Sequence, residues 1–459
     1  KCPDHGIDGF KRYVALSVPP PLTVDEMNLL DYCNSNNYPT VKVFEQLAQE
    51  ERNMNTLAQF CSNSSCPAHR CVGQGNIVIH SRQEERYRCK TCGVTFSETK
   101  GTAFYRLRTE EDHVSNMVSL MNNGCPPQAI VATYGHDERT VYDWFARGGE
   151  HCQQVHEAII EQKHVDLKHV QADELCIRTV KLREDEIKSQ EQIPQKVDEL
   201  VQSQGGELSV SVQEGDMIQS KGEELSASAE SYADGVNHMW MAMAMDVATR
   251  LWLGGVVGTH RDGNMILSLA LKVRACAKNW NFLLCVDGLS SYASVFMFVF
   301  TGLPGRPKRE TVPGLMIAQV IKEYSKGRVV EVVRRIVRGS VEAVALVLKQ
   351  TGCAMINTSF IERLNATFRG RLAALVRKGR AIAHTESPLL EQGMYLVGCT
   401  YNFCCFHDSL RVVAPAGGPR KWVEKTPAMA AGLTDHRWTM KELLSYKVFP
   451  KPKTKIVHG

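Results

Sequence analysis

The sequence contains the run Met239-Trp-Met-Ala-Met-Ala-Met245, the connector Asp246-Val-Ala-Thr-Arg250 and the run Leu251-Trp-Leu-Gly-Gly-Val-Val257. Two apolar runs joined by a short polar connector predict a β-hairpin. Residues 170–177 predict a buried strand before it, and a helix over 263–277 precedes a further strand over 282–287. The order β-β-β-α-β predicts an α/β fold with a mixed sheet and flanking helices.

Two of these strands carry an acidic residue, Asp173 in the first and Asp287 at the end of the fourth. A third acid, Glu362, lies in Asn357-Thr-Ser-Phe-Ile-Glu-Arg-Leu-Asn-Ala-Thr-Phe-Arg369, which predicts a helix. Carboxylates on two adjacent strands and one packed helix suit a phosphoryl-transfer centre with two Mg²⁺ (or Mn²⁺) ions. We therefore expect Asp173, Asp287 and Glu362 as catalytic metal ligands.

Each acid also has an ordinary alternative. Asp173 or Asp287 would serve as a strand-end cap, and Glu362 would form an ion pair on the helix surface. Glu174 is predicted on the opposite strand face from Asp173, and therefore not as a ligand. Asp246 competes with Asp287 for the middle position, although its D-x-x-T-R setting is ordinary turn chemistry.

The net charge of +4 averages two opposed regions. Residues 184–234 contain 13 acidic and 3 basic residues, whereas residues 301–384 contain 16 basic and 5 acidic residues. The basic region predicts a polyanion partner, most simply nucleic acid, with a solvated charged face as the alternative. Bidentate phosphate contacts are expected from Arg363, Arg369 and Arg371. A DNA-facing role is also predicted for Arg334, Arg335 and Arg338.

Four cysteines predict a zinc site. Cys61-x4-Cys66 and Cys89-x2-Cys92 are separated by 22 residues, and paired cysteines on tight turns place four thiolates around one tetrahedral Zn²⁺. Gly93 and Phe96 complete the second knuckle as a turn residue and a small core. Cys71 and His69 remain alternative ligands. The segment is interpreted as a zinc ribbon, with a structural metal because four cysteines leave no open coordination position.

Three helices are predicted after the cysteines. Residues 112–122 have amphipathic spacing, Pro126-Pro127 begins a helix that Gly135 ends, and Asp137 or Thr140 caps a third. This pattern favours a helix-turn-helix over a trihelical packing module. The residues expected on its exposed DNA-binding face are His136, Arg139, Tyr142 and Arg147.

Composition excludes several classes of protein. Hydrophobic residues make up 43% and charged residues 23%, which excludes wholesale disorder, and no apolar run reaches the length of a membrane helix. We expect no secretory signal, and we therefore expect the 16 cysteines to be reduced thiols and metal ligands. We expect a soluble intracellular protein.

These motifs together resemble the bacterial insertion-sequence transposases of the DDE type. The resemblance runs from Cys61 to about Leu444, and its most specific passages are 87–102, 357–369 and Tyr401-Asn-Phe-Cys-Cys-Phe-His-Asp-Ser-Leu410. By this similarity Asp173, Asp287 and Glu362 match the triad, and Arg369 matches a basic residue seven positions after the glutamate.

The resemblance implies a domain order and a reaction. The expected segments are 1–60 without an assigned role, a zinc ribbon over 61–108, a helix-turn-helix over 109–160, an RNase H-like catalytic domain over 165–411 and a basic tail over 412–459. An acidic insertion over 184–236 and a basic helical insertion over about 304–355 interrupt the catalytic domain. Water would attack a phosphodiester at an element end, and the released 3′-hydroxyl would attack target DNA.

The implied partners are terminal inverted repeats, target DNA and further copies of the chain in an oligomer on DNA. The implied location is cytoplasmic, associated with a bacterial nucleoid. Two other functions remain open, namely a domesticated DNA-binding regulator without catalysis and a metal-dependent nuclease without strand transfer.

Overall fold

The computed structural model describes residues 55–69, 71–162, 164–180, 236–301, 314–326, 328–375, 383–384, 388–414 and 421–448. They belong to two compact units, one within residues 55–100 and the other within residues 101–448. The predicted acidic insertion lies outside the described residues, apart from Val236 at its end. Most of the predicted N-terminal region also lies outside them.

The first unit is a small antiparallel sheet. Its strands are β1 (Ile77–Ser81), β2 (Arg86–Cys89) and β3 (Thr95–Ser97), in that order. Tyr87 and Phe96 are buried between the strands, with their rings stacked at 5.8 Å. Gly93 has a φ of +73°, and its N–H donates to the carbonyl of Cys89, so the turn after Cys92 has the predicted glycine geometry.

The second unit is built on a six-strand mixed sheet with flanking helices. Its strands are β4 (His169–Val180), β5 (Val236–Asp246), β6 (Trp252–Gly258), β7 (Leu283–Asp287), β8 (Met316–Ser325) and β9 (Arg328–Arg338). Their spatial order is β6-β5-β4-β7-β8-β9, and the two-residue strand β10 (Ala383–His384) also pairs with β4. The β4–β7 and β7–β8 pairs are parallel, whereas the β4–β5, β5–β6 and β8–β9 pairs are antiparallel.

Helices surround this sheet. They are α1 (Glu111–Asn122), α2 (Pro127–Tyr134), α3 (Glu138–Ile159), α4 (Gly263–Cys276), α5 (Ser290–Thr301), α6 (Val341–Gln350), α7 (Ser359–Arg371) and α8 (Leu389–Cys399), with short helices α9 (Pro427–Ala430) and α10 (Met440–Ser445). The exposed two-residue strands β11 (Val412–Val413) and β12 (Trp422–Val423) pair antiparallel. The apolar run of β5 is buried because helices α4 and α7 pack against this central strand.

One hydrophobic core joins segments that the sequence analysis separates. Buried residues of α1 and α3 belong to the same core as the sheet. The segment after residue 412 was expected as a basic tail, but Trp438, Leu443 and Leu444 are buried in that core as well. Burial of these apolar side chains stabilises the packing of the segment, including its short helices, against the core.

The segment 304–355 was expected to be helical, and its described part is different. It contains the antiparallel strands β8 and β9 followed by the single helix α6. Residues 328–338 read Arg-Val-Val-Glu-Val-Val-Arg-Arg-Ile-Val-Arg, and their charges alone are compatible with a helix. Five valines and one isoleucine favour a strand, and β8 offers a free edge on which that strand pairs.

Candidate functional site

Two acids lie side by side on parallel strands. The pairing of β4 with β7 sets Gln171 beside Cys285, and two residues further along each strand come Asp173 and Asp287. Together with Glu174 they form a group in which one carboxylate oxygen from each residue lies within 4.8 Å of the others. This group could hold a cation, because carboxylate oxygens are the ligands that hard divalent ions prefer.

Glu174 differs from its predicted position. Strand alternation was expected to direct its carboxylate away from Asp173, but the structure brings it into the group. The Nη2 of Arg261 lies 2.8 Å from a Glu174 oxygen and 2.7 Å from an Asp287 oxygen. The long Glu174 side chain reaches Arg261, which also contacts Asp287. This ion pair explains why the Glu174 carboxylate lies in the group although strand alternation predicts the opposite face.

Burial and like charge raise the proton affinity of the group. Burial, together with the negative charges of Glu174, Asp287 and Glu362, raises the pKa of Asp173 to about 7. Burial also raises the pKa of Glu174, although Arg261 opposes that shift. A bound cation would therefore stabilise the ionised carboxylates of the group by compensating their negative charge.

Glu362 lies outside this group of three. Its Oε1 is 2.6 Å from the Nζ of Lys322 and accepts a hydrogen bond from the Thr358 hydroxyl at 2.9 Å. The ion pair on the helix surface, one of the two sequence interpretations, is therefore present. Glu362 still acts on the group, since its charge contributes to the raised pKa of Asp173.

Two amides that the sequence analysis missed hold α7 beside the acids. Asn365 donates from Nδ2 to Oδ2 of Asp173 at 2.8 Å. The buried Gln171 accepts the N–H groups of Phe360 and Ile361, both at 3.0 Å, and donates to the carbonyl of Asn357. Gln171 thus satisfies free N–H groups in the first turn of α7. The available signal was its position two residues before Asp173, on the same strand face.

The arginines of α7 have different surroundings. Arg363 is exposed, whereas Arg369 and Arg371 are half-buried. Arg371 donates from Nη2 to the Sγ of Cys405 at 3.1 Å. The positive charge of Arg369 lowers the pKa of Cys176 against the larger effect of burial, so this arginine acts close to β4. Arg363 is the one of these three that presents its side chain openly to solvent.

Asp246 has the turn role that its sequence context indicates. It is buried, and one carboxylate oxygen accepts from the backbone N–H of Thr249 at 2.9 Å and from its hydroxyl at 2.7 Å. It does not belong to the acidic group.

Four cysteines of the first unit converge. The Sγ atoms of Cys61, Cys66, Cys89 and Cys92 lie within 4.8 Å of one another. The distance is 3.5 Å for Cys61–Cys92 and 4.0 Å for Cys66–Cys89. Tetrahedral Zn²⁺ with Zn–S bonds of about 2.3 Å separates its sulfurs by about 3.8 Å. The cluster could therefore bind a metal such as zinc.

The alternative ligands have other contacts. His69 bonds through Nδ1 to the carbonyl of Cys61 at 2.9 Å, and the Cys71 thiol lies 3.5 Å from the carbonyl of His69. Within the cluster, burial raises the pKa of Cys89, but backbone N–H groups of Cys92 and Thr91 outweigh it and lower that pKa to about 6. A thiolate at this position suits a metal ligand.

The three predicted helices α1, α2 and α3 are present. Asp137, rather than Thr140, caps α3 by accepting the N–H groups of Arg139 and Thr140. His136 was expected to be exposed, but its Nε2 lies 2.7 Å from the Nε2 of His113, and its ring packs against Trp144. These ring contacts turn His136 toward the helices.

Arg139, Tyr142 and Arg147, the other three candidates for the DNA-binding face, differ in how far contacts within the protein hold their side chains. Arg139 is exposed. The Tyr142 hydroxyl accepts from Nε2 of Gln128 at 2.9 Å. Arg147 pairs with Asp143 at 2.6 Å and also donates to the carbonyl of Tyr105. Arg139 therefore offers the least constrained charge.

No family model and no curated protein sequence matches this chain. Among the described helices, none combines the length and apolar character that a membrane span requires.

Proposed function

We propose that this protein is a metal-dependent DNA transposase that cleaves and joins phosphodiesters at its acidic group. The observation that carries the proposal is the side-by-side position of Asp173 and Asp287 on parallel strands, with α7 bonded to Asp173 through Asn365. Acids on two neighbouring strands and an adjacent helix are the arrangement that the DDE resemblance implies.

The sheet supports an RNase H-like interpretation. Strands β4, β5 and β6 form an antiparallel meander. A helix follows, and β7 and β8 then add as parallel strands on the other side of β4, in the order β6-β5-β4-β7-β8. In this interpretation β9 and α6 are additions between β8 and the helix that carries Glu362. The acidic residues then lie where the central strands diverge.

The residues of the group fit a divalent cation. Three carboxylates converge, and the guanidinium of Arg261 already bridges two of them as a cation of the protein itself. Asp173 and Asp287 would hold Mg²⁺ or Mn²⁺, with Glu174 and Glu362 as the acids available beside them. The chemistry that two bound ions supply is activation of the attacking oxygen and stabilisation of the leaving oxygen.

The protein's own side chains orient the substrate. Arg363 and Arg369 carry positive charge on the helix beside the acids, where they would hold phosphates. Arg139 on α3 and a structural zinc in the cysteine cluster would serve recognition of the element ends. Because α3 shares its core with the sheet, DNA held at Arg139 would be held by the same compact unit as the acids.

The test uses end-labelled DNA that flanks this gene, Mg²⁺ or Mn²⁺, and purified protein. Discrete cleavage and joined products are expected with wild type and with the exposed-acid control Asp435→Asn, and neither is expected with Asp287→Asn. Cleavage without joined products would identify a nuclease instead. Specific binding without cleavage by any of the proteins would identify a regulator.

A further inference from the structure

Strands β8 and β9 extend beyond the neighbouring strand. β8 pairs with β7 from Met316 to Val320, and Val320 lies opposite Asp287, the last residue of β7. Residues 321–325 pair with 328–333 of β9. Among the described strands, this part has no third neighbour and forms a two-stranded ribbon, here called the ribbon (residues 321–326 and 328–333). Its five residues per strand span about 16 Å.

The ribbon leaves apolar side chains in solvent. Val329, Val330 and Val333 are exposed, with 62% of Val330 accessible. A two-stranded ribbon by itself is marginally stable in water. An edge strand with exposed valines therefore presents a surface that a partner would cover.

The charge of the ribbon indicates the kind of partner that would bind it. The ribbon contains three basic and two acidic residues. Lys322 pairs with Glu362, and Glu323 lies opposite Glu331, so the remaining positive charge lies at the tip, in Lys326 and Arg328. A polyanion gains from the same charges.

The base of the ribbon borders the acidic group. Lys322 pairs with Glu362 at 2.6 Å. Ile321 packs so closely on Gly288, the residue after Asp287, that a Cβ there would lie 3.2 Å from its Cγ1. A polyanion held at the acids would therefore continue along the ribbon.

We infer that the ribbon is a docking surface for the DNA duplex that flanks the strand held at the acids, an inference that rests on the proposed function. A two-stranded ribbon fits the major groove, which is about 12 Å wide. The exposed Lys326 and Arg328 at its tip contact phosphates, while Val330 faces the groove.

This assignment differs from the arginines that the sequence analysis selected. Arg334 donates to the carbonyl of Ile356, and Arg338 donates to the carbonyl of Leu315. Arg335 makes two hydrogen bonds to Oε1 of Gln319. These three arginines hold β9 and its connections in place. We therefore assign the phosphate contacts to Lys326 and Arg328 at the tip.

The test measures binding of the full chain to a fluorescein-labelled 30-base-pair duplex of mixed sequence by anisotropy, across a series of salt concentrations. Lys326→Ala with Arg328→Ala is expected to weaken binding roughly 10- to 100-fold at 0.1 M salt and to reduce the salt slope by about two. Glu331→Gln is expected to tighten binding.

The matched control is Lys278→Ala with Lys349→Ala, which removes the same charge at the other end of the strands. The backbone N–H of Lys278 donates to the carbonyl of Val165, which lies before β4. Lys349 lies two residues before Thr351, whose hydroxyl contacts His169 at the start of β4. Equal losses in both double variants would overturn the docking surface. So would a concentration-dependent dimer, measured by sedimentation, that the tip variant abolishes while duplex binding is unchanged. A wild-type chain that binds no duplex would contradict the proposed function itself.

Discussion

The guanidinium of Arg261 lies 2.7 Å from a carboxylate oxygen of Asp287 and also bridges Glu174. Arg261 is half-exposed and lies over the Trp240 ring at 5.4 Å, whereas the Glu174 side chain is 1% exposed. The buried acid therefore has a protein cation as its neighbour. A divalent ion at the acids competes with Arg261 for the same oxygens.

Arg261→Gln is expected to tighten Mn²⁺ binding roughly three- to tenfold, because the competing cation is removed. It should also lower the melting temperature without metal, because Glu174 is left buried and unpaired, and added Mn²⁺ should restore part of that loss. Calorimetry measures the affinity, with Lys278→Gln as the charge-matched control. An unchanged or weaker affinity would show that Arg261 does not compete with the ion.

The raised pKa of Asp173 predicts a pH-dependent stability. A carboxyl that titrates near pH 7 when folded, against an ordinary value near 4, binds more protons in the folded state. Its stabilising contribution is complete below about pH 4 and is lost as the pH rises to 7. In metal-free buffer, Asp173→Asn should therefore stabilise the protein at pH 8 by about 2–4 kcal/mol relative to its effect at pH 4. Denaturant unfolding at both pH values measures this difference, and equal effects would contradict the raised pKa.

The cysteine cluster predicts selective metal loss. Cys89→Ser should reduce the bound zinc, quantified by elemental analysis, to a small fraction of one equivalent, because one thiolate ligand is removed. Cys71→Ser should retain a full equivalent, since Cys71 lies outside the cluster. Retention of zinc by both variants would place the metal elsewhere.

Gln171 predicts a local effect on α7. Gln171→Leu keeps a similar volume but leaves the N–H groups of Phe360 and Ile361 without their acceptor. The free energy of unfolding should fall by about 1–3 kcal/mol. Hydrogen exchange should accelerate at these two amides more than at Leu269 and Val273 in α4, which serve as the internal reference. Uniform acceleration would indicate general destabilisation instead.

The three-helix segment predicts a contrast between two arginines. Arg139→Ala should weaken duplex binding and leave the melting temperature within about 1 °C of wild type, because the side chain is exposed. Arg147→Ala removes the contacts to Asp143 and Tyr105, so its melting temperature should fall as well. Equal DNA affinity in Arg139→Ala and wild type would remove Arg139 from the DNA-binding face.

Local signals were sufficient for the elements with short-range determinants. The Cys89-x2-Cys92 knuckle, the hairpin at Asp246 and the cap at Asp137 each depend on residues a few positions apart. The knuckle turn and the hairpin were therefore predicted as the structure has them, whereas the cap was left open between Asp137 and Thr140. Strands β8 and β9 were missed because the choice between helix and strand was made by tertiary pairing, of β8 on β7 and of β9 on β8.

The sequence by itself determined the turn after Cys92, the start of α2 at Pro127, the apolar strands and the acids Asp173 and Asp287. Only the tertiary structure decided which side chains share their site. Arg261 is 87 residues from Glu174 in the chain, and Asn365 is 192 residues from Asp173. Such contacts leave no local pattern, because they form only when the sheet and α7 pack together and bring the polar groups into hydrogen-bonding distance in one buried place.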